Sequence, residues 1–172
     1  MNTRWKPGVT VAAIIARGSG DATEFLLVEE HTPEGLRLNN PAGHLDPGES
    51  PEQACARETL EETAHLFTPM ALVGVYLSRF QRPETSEHAA EDVTYLRFAF
   101  CGTLGAQEPG RALDTPIVRT LWMRAAQVRA SAARHRSPLL LRCMEDYLAG
   151  QRFALSLITT DASVFAPQLL QK

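Results

Sequence analysis

The chain has 172 residues, 44% of them apolar and 22% charged, with a formal charge of −3. That length holds one domain with a full core rather than two ordinary ones, and the composition excludes the disordered and fibrous classes. With no Lys/Arg block there is no electrostatic footprint for nucleic acid or an anionic membrane surface, so neither a nucleic-acid polymer nor a membrane is expected as partner.

Along the chain, Val9 to Ala16 is a short apolar run with β-branched residues, which predicts a buried strand and neither a signal peptide nor a membrane span. RGSGDA (17–22) predicts a turn into a second strand, Glu24 to Glu30, as a hairpin. Residues 31–49 are rich in proline and glycine and predict a long functional loop, with Asn39 to Leu45 partly extended. Residues 50–63 predict a helix: Ser50 caps it, Pro51 suits its first position and Gln53 completes a capping box. Long strands follow at Ala71 to Phe80 and Val93 to Leu104, separated by a polar insert, and a shorter one at Ile117 to Met123. RAAQVRASAAR and a segment from Ser137 to Gly150 predict helices at the end. This order predicts one α/β layered domain over residues 1–172 with a mixed sheet. Cys55, Cys101 and Cys143 are odd in number and form no CxxC pair, so no disulfide or zinc site is expected and a reducing cytoplasmic setting is the simpler expectation. Cys55 reads as a small buried hydrophobe.

The predicted helix poses the chemical question. At about 100° per residue, Glu58, Glu61 and Glu62 fall within an arc of roughly 100°, with Ala56, Leu60 and Thr63 on the other side. Like charges three and four residues apart repel, and Glu61 and Glu62 lie in the last turn, where the helix dipole disfavours anions. Something positive should therefore be bound there. Oxygen donors without His or Cys at helical spacing suit Mg²⁺ or Mn²⁺ rather than a softer metal. Gly43 can bring a backbone carbonyl close to such an ion, Arg57 is spaced to pair with a neighbouring carboxylate, and Glu49 could reach Arg57 from the loop. A solvated acidic face is the bland alternative.

The order and spacing of Gly43, Glu49, Arg57, Glu58, Glu61 and Glu62 resemble the signature of the Nudix hydrolases. Thr59, Ala64 and His65 depart from it, and Ala64, in place of a glycine, is expected to change the turn by which the chain leaves the helix. The resemblance implies a Nudix fold of the α/β (α+β) kind, with a mixed β-sheet sandwiched between helices. It further implies hydrolysis of a phosphate-containing small molecule by water. Glu58 and Glu62 would be the main metal ligands, Glu61 a further ligand and the Gly43 carbonyl an additional donor. Glu58 or Glu61 would be the base, with Arg57 in the catalytic set. Asp114 is a candidate outside the motif, with Glu108 and Glu91 behind it, and His44 is the histidine nearest the expected metal.

NPAGHLDPGE, VTVAAII, TYLRFAF and RSPLLLRCMEDYLAGQRF further resemble a bacterial phosphatase branch of that family, whose members act on nucleoside tri- and diphosphates and on hydroxymethylpyrimidine pyrophosphate. Where the dinucleoside polyphosphate hydrolases carry a tyrosine, this chain reads Gln81, Arg82, Pro83, and Pro83 keeps an ADP-ribose hydrolase as the alternative. A non-catalytic nucleotide-binding module is a remote third. Trp5, Tyr76, Phe80 and Tyr95 are candidates for stacking on a ring, and Arg79, Arg82 and Arg97 for holding a terminal phosphate. The family leaves monomer and homodimer both open.

Overall fold

Alternation along the first strand sets the architecture. The computed structural model describes residues 5–82 and 90–167. In β1 (Gly8–Ile14) every residue from Thr10 on is buried, so both faces of the strand must be covered. Val11, Ala13 and Ile15 pack with Ala54 and Cys55 of helix α1 (Pro51–Thr63). Ala12 and Ile14 pack on the opposite side with Val128 of α2 (Ala125–Ala130) and Leu140, Cys143 and Met144 of α3 (Leu139–Leu148). The strands thus form a layer between helices.

That layer consists of two four-stranded sheets, a finer division than the single mixed sheet expected. One has the order β5-β1-β7-β6, with β5 at Ala42–His44, β6 at His65–Arg82 and β7 at Glu91–Gln107; β1 and β7 run parallel and the other neighbours antiparallel. In the other, β3 (Glu24–Thr32) pairs with β2 (Ala16–Arg17), with β4 (Gly35–Asn39) and with β8 (Ile117–Arg124). The expected hairpin therefore holds only for β2. The break at Ile15 sends β1 into the other sheet, where β7 covers its edge.

The expected long loop at 31–49 contains β4 and β5. Its prolines and glycines mark turns: Thr32 Oγ1 donates to the Gly35 carbonyl (2.8 Å), and Gly35 has φ 99°, closing a β3–β4 hairpin. The strands around the polar insert are longer than expected, and three register shifts let β6 start at His65, directly after α1. Residues 155–158 return over the sheet, with Leu155 and Ile158 packed on the α1-side core and Phe153 paired with Leu72. Cys55, Cys101 and Cys143 are free and buried. No helix among the described residues is long and apolar enough to cross a membrane.

Helix α1 starts as the sequence predicts, with the Ser50–Gln53 capping box formed in both directions. Its buried face differs: Ala54, Cys55, Thr59 and Thr63 are buried, whereas Ala56 and Leu60 are half-buried. Thr59 occupies the core because its hydroxyl donates to the Cys55 carbonyl (2.8 Å), and Thr63 donates to Thr59 in the same way (2.6 Å). The exit turn is not altered by the missing glycine. Ala64 itself adopts the left-handed cap, φ 57° and ψ 17°, and its N–H donates to Leu60. An alanine there carries roughly 1 kcal/mol of backbone strain. Ala64→Val, β-branched in the same buried position, is expected to cost a further ~1–2 kcal/mol, read as a lower urea midpoint at unchanged slope.

Candidate active site

Helix α1 presents Arg57 to the acidic residues on either side of it. Its Nε and Nη2 donate to the two Glu49 oxygens (3.0 and 2.7 Å), and Nη1 donates to Glu58 (2.8 Å) and Glu61 (2.9 Å). Nη2 also donates to the His44 carbonyl (2.9 Å). Glu49 is fixed from its own side by the Asp46 N–H (2.8 Å), and Arg57 holds its carboxyl below the usual range. Arg57 in turn is held firmly protonated, chiefly by Glu49. The guanidinium thus orders three carboxylates and the end of β5 around one point.

Glu62 is outside this grip. Its Oε2 accepts from the Ala42 N–H (2.8 Å), which ties α1 to β5. Burial, together with the nearby Glu58 and Glu30 charges, pushes its pKa up to about 8. Glu58 is also raised, by burial first, against the pull of Arg57. The Glu58 carboxyl lies so close to the Gly43 Cα that any side chain there would overlap it.

These residues fit a hard divalent cation. Two half-buried carboxylates disfavour their own charge, Arg57 is already shared among Glu49, Glu58 and Glu61, and all the donors are oxygen. Among the described residues no three such side chains close into a ready cage.

Beside the carboxylates lies a buried polar floor that the sequence mostly conceals. Glu30 of β3 pairs with Arg136, 106 residues away, and Asn39 and Arg97 also stabilise its charged form, although burial still raises its pKa. Buried atoms left without a partner include Glu30 Oε1, Asn39 Oδ1, Asn40 Oδ1 and Arg97 Nη1. Only the two acids inside the apolar strand FLLVEEH hint at this floor in the sequence. Glu29, the other one, is shared between Arg119 and Arg134.

Gly43, Glu49, Arg57, Glu58, Glu61 and Glu62 are thus brought together. The acids outside the motif are placed differently. Asp114 reaches α1 through its backbone, its N–H donating to the Glu61 carbonyl (3.0 Å), while its side chain is exposed. The Glu108 N–H donates to the Ala64 carbonyl (2.7 Å), and its carboxylate pairs with Arg111. Glu91 opens β7 at the hairpin end, four residues along the strand from Tyr95. His44 packs edge-on against Tyr95 (5.6 Å), which also meets Phe80 (5.7 Å). Tyr76 donates to Asp146 (3.0 Å), Trp5 is exposed, and Arg79 pairs with Asp92. Pro83 and the Arg82 side chain lie outside the described residues.

Comparison with known proteins bears on the family and the fold. The family model for the NUDIX domain matches residues 6–143. Phosphatase NudJ from Escherichia coli strain K12 is 33% identical over 156 residues, covering 90% of this chain and 92% of that protein, and the Shigella flexneri protein of the same name matches equally. A solved NUDIX hydrolase from Nitrosomonas europaea is 47% identical, with a TM-score of 0.75 over 91% of this chain and 98% of that one. A UDP-X diphosphatase shares the fold at 18% identity, with a TM-score of 0.63 over 89% of this chain and 68% of that one. The ordered carboxylate helix, the strand layer between helices and these similarities agree: the chain belongs to the Nudix hydrolase family and is a hydrolase.

Proposed function

We propose that this protein is a Mg²⁺-dependent phosphohydrolase of nucleoside tri- or diphosphates or of hydroxymethylpyrimidine pyrophosphate, with Mn²⁺ able to substitute. The observation that carries the reading is the single cluster in which Arg57 orders Glu49, Glu58 and Glu61 while Glu62 stands half-buried beside them. The likeness to phosphatase NudJ along 90% of the chain supports the choice of substrate class.

In this reading Glu58, Glu61 and Glu62 hold the ion with the Gly43 carbonyl. The bound ion would offset charge on the phosphate oxygens and lower the pKa of a water. Glu49 and Arg57 position the ligands without touching substrate. Glu58 and Glu61 are the two candidates for taking the proton of the attacking water, since both lie at the Arg57 end of the cluster. Glu62 is tied to the Ala42 N–H and serves as a ligand.

The decisive assay is separate measurement of orthophosphate and pyrophosphate released from GTP, GDP, hydroxymethylpyrimidine pyrophosphate and ADP-ribose in Mg²⁺. Orthophosphate from the first three is expected. AMP and ribose phosphate from ADP-ribose alone would move the reading to a diphosphate-derivative pyrophosphatase. Glu62→Gln keeps an acceptor for the Ala42 N–H but loses the charge, and is expected to lower kcat/KM by about a hundredfold or more at near-native stability. Gly43→Ala is expected to displace the Glu58 carboxyl and weaken Mg²⁺ activation, seen as a higher Mg²⁺ requirement in the same assay.

A further inference from the structure

Strand β7 delivers an arginine that the carboxylate cluster leaves unused. In strand register Arg97 lies across from Thr10 on one side and Tyr76 on the other, and Thr10 lies across from His44. One row of the sheet therefore runs His44, Thr10, Arg97, Tyr76, starting beside the Gly43 that supports Glu58. Arg97 is 8% exposed. Its Nε is 3.5 Å from Thr10 Oγ1, long for a hydrogen bond, and its Nη1 is buried with no partner.

A guanidinium kept this far from water is costly unless something negative completes it. No hydrogen bond joins Arg97 to either nearby carboxylate: Glu30 Oε1 and Arg97 Nη1 are both without a partner. Glu30 is paired with Arg136, and Glu62 accepts from Ala42 and belongs to the metal cluster. The charges acting on Arg97 include Arg136, a second cation, and Glu62. Arg97, with a free buried donor, therefore stands within electrostatic reach of Glu62, one of the carboxylates of the cluster.

We propose that Arg97 binds the terminal phosphoryl group of the substrate and so selects compounds that end in a free phosphate over those whose diphosphate is capped at both ends. The proposal rests on the functional reading above for the identity of the substrate. A terminal phosphate carries about −2 at neutral pH and three acceptor oxygens, enough to meet the arginine fork while others remain for the cation. A doubly capped diphosphate has less charge on each phosphorus and fewer free oxygens. The Glu30 charge does not oppose this binding, because Arg136 offsets it.

The test uses Arg97→Met and Arg97→Lys in Mg²⁺, with inorganic phosphate as the titrated probe and GDP as substrate. For Arg97→Met, phosphate affinity and kcat/KM for GDP are expected to fall together by about thirtyfold or more, without loss of melting temperature, since an apolar isostere suits a buried site. Arg97→Lys, charged but without the fork, is expected to fall between Met and wild type. Unchanged phosphate affinity in Arg97→Met overturns the proposal, as does a wild type that binds no phosphate. A lower melting temperature with wild-type phosphate affinity shows a structural role and overturns it too. If the wild type hydrolyses none of the nucleotides but binds phosphate through Arg97, the functional reading fails and the anion assignment stands.

Discussion

The site depends on a single guanidinium holding several carboxylates that would otherwise repel one another. Glu58, Glu61 and Glu62 crowd the end of a helix whose dipole disfavours anions. Arg57 makes this tolerable by bonding Glu58 and Glu61 on one side and Glu49 on the other. The spacing then follows. Glu49 must precede the helix to approach from the loop, so the Ser50–Gln53 capping box sets where Arg57 falls relative to Glu49. Lysine could not replace Arg57, because one ammonium lacks the planar fork that spans both sides.

The same helix end is secured by backbone groups from distant loops. The Glu108 and Asp114 N–H groups satisfy the Ala64 and Glu61 carbonyls, and the Ala42 N–H satisfies Glu62. The segment just before β8 therefore caps the end of the helix through its backbone. On the opposite face Ala54 and Cys55 are small enough for the helix to lie close against Val11, Ala13 and Phe100. That close seat allows Gly43 and Glu58 to touch.

Legibility in the sequence followed the range of the interactions. Helix α1, its cap and the six residues from Gly43 to Glu62 lie within one short stretch, where spacing alone dictates which side chains meet. The strands were recognisable for the same reason, although β4 was hidden because turn residues resemble loop residues at both its ends. What could not be read was the division into two sheets, which depends on β1 pairing with β7 more than eighty residues later. The pairing of Glu30 with Arg136 was equally invisible, since no periodicity links residues so far apart. The left-handed conformation of Ala64 was concealed differently: the motif calls for glycine, and only the backbone shows that the chain accepts the strain.

The Glu30–Arg136 pair also divides the site by origin. The carboxylate cluster comes almost entirely from one contiguous segment, whereas the polar floor is assembled from β3, β4, β7 and the connection into α3. Substitutions at Glu30, Asn39, Arg97 or Arg136 can reshape what the floor accepts while leaving the helix and its carboxylates intact. If the floor meets the substrate as proposed for Arg97, altered preference and retained chemistry are separable, and libraries aimed at new substrates belong on those four positions, away from α1.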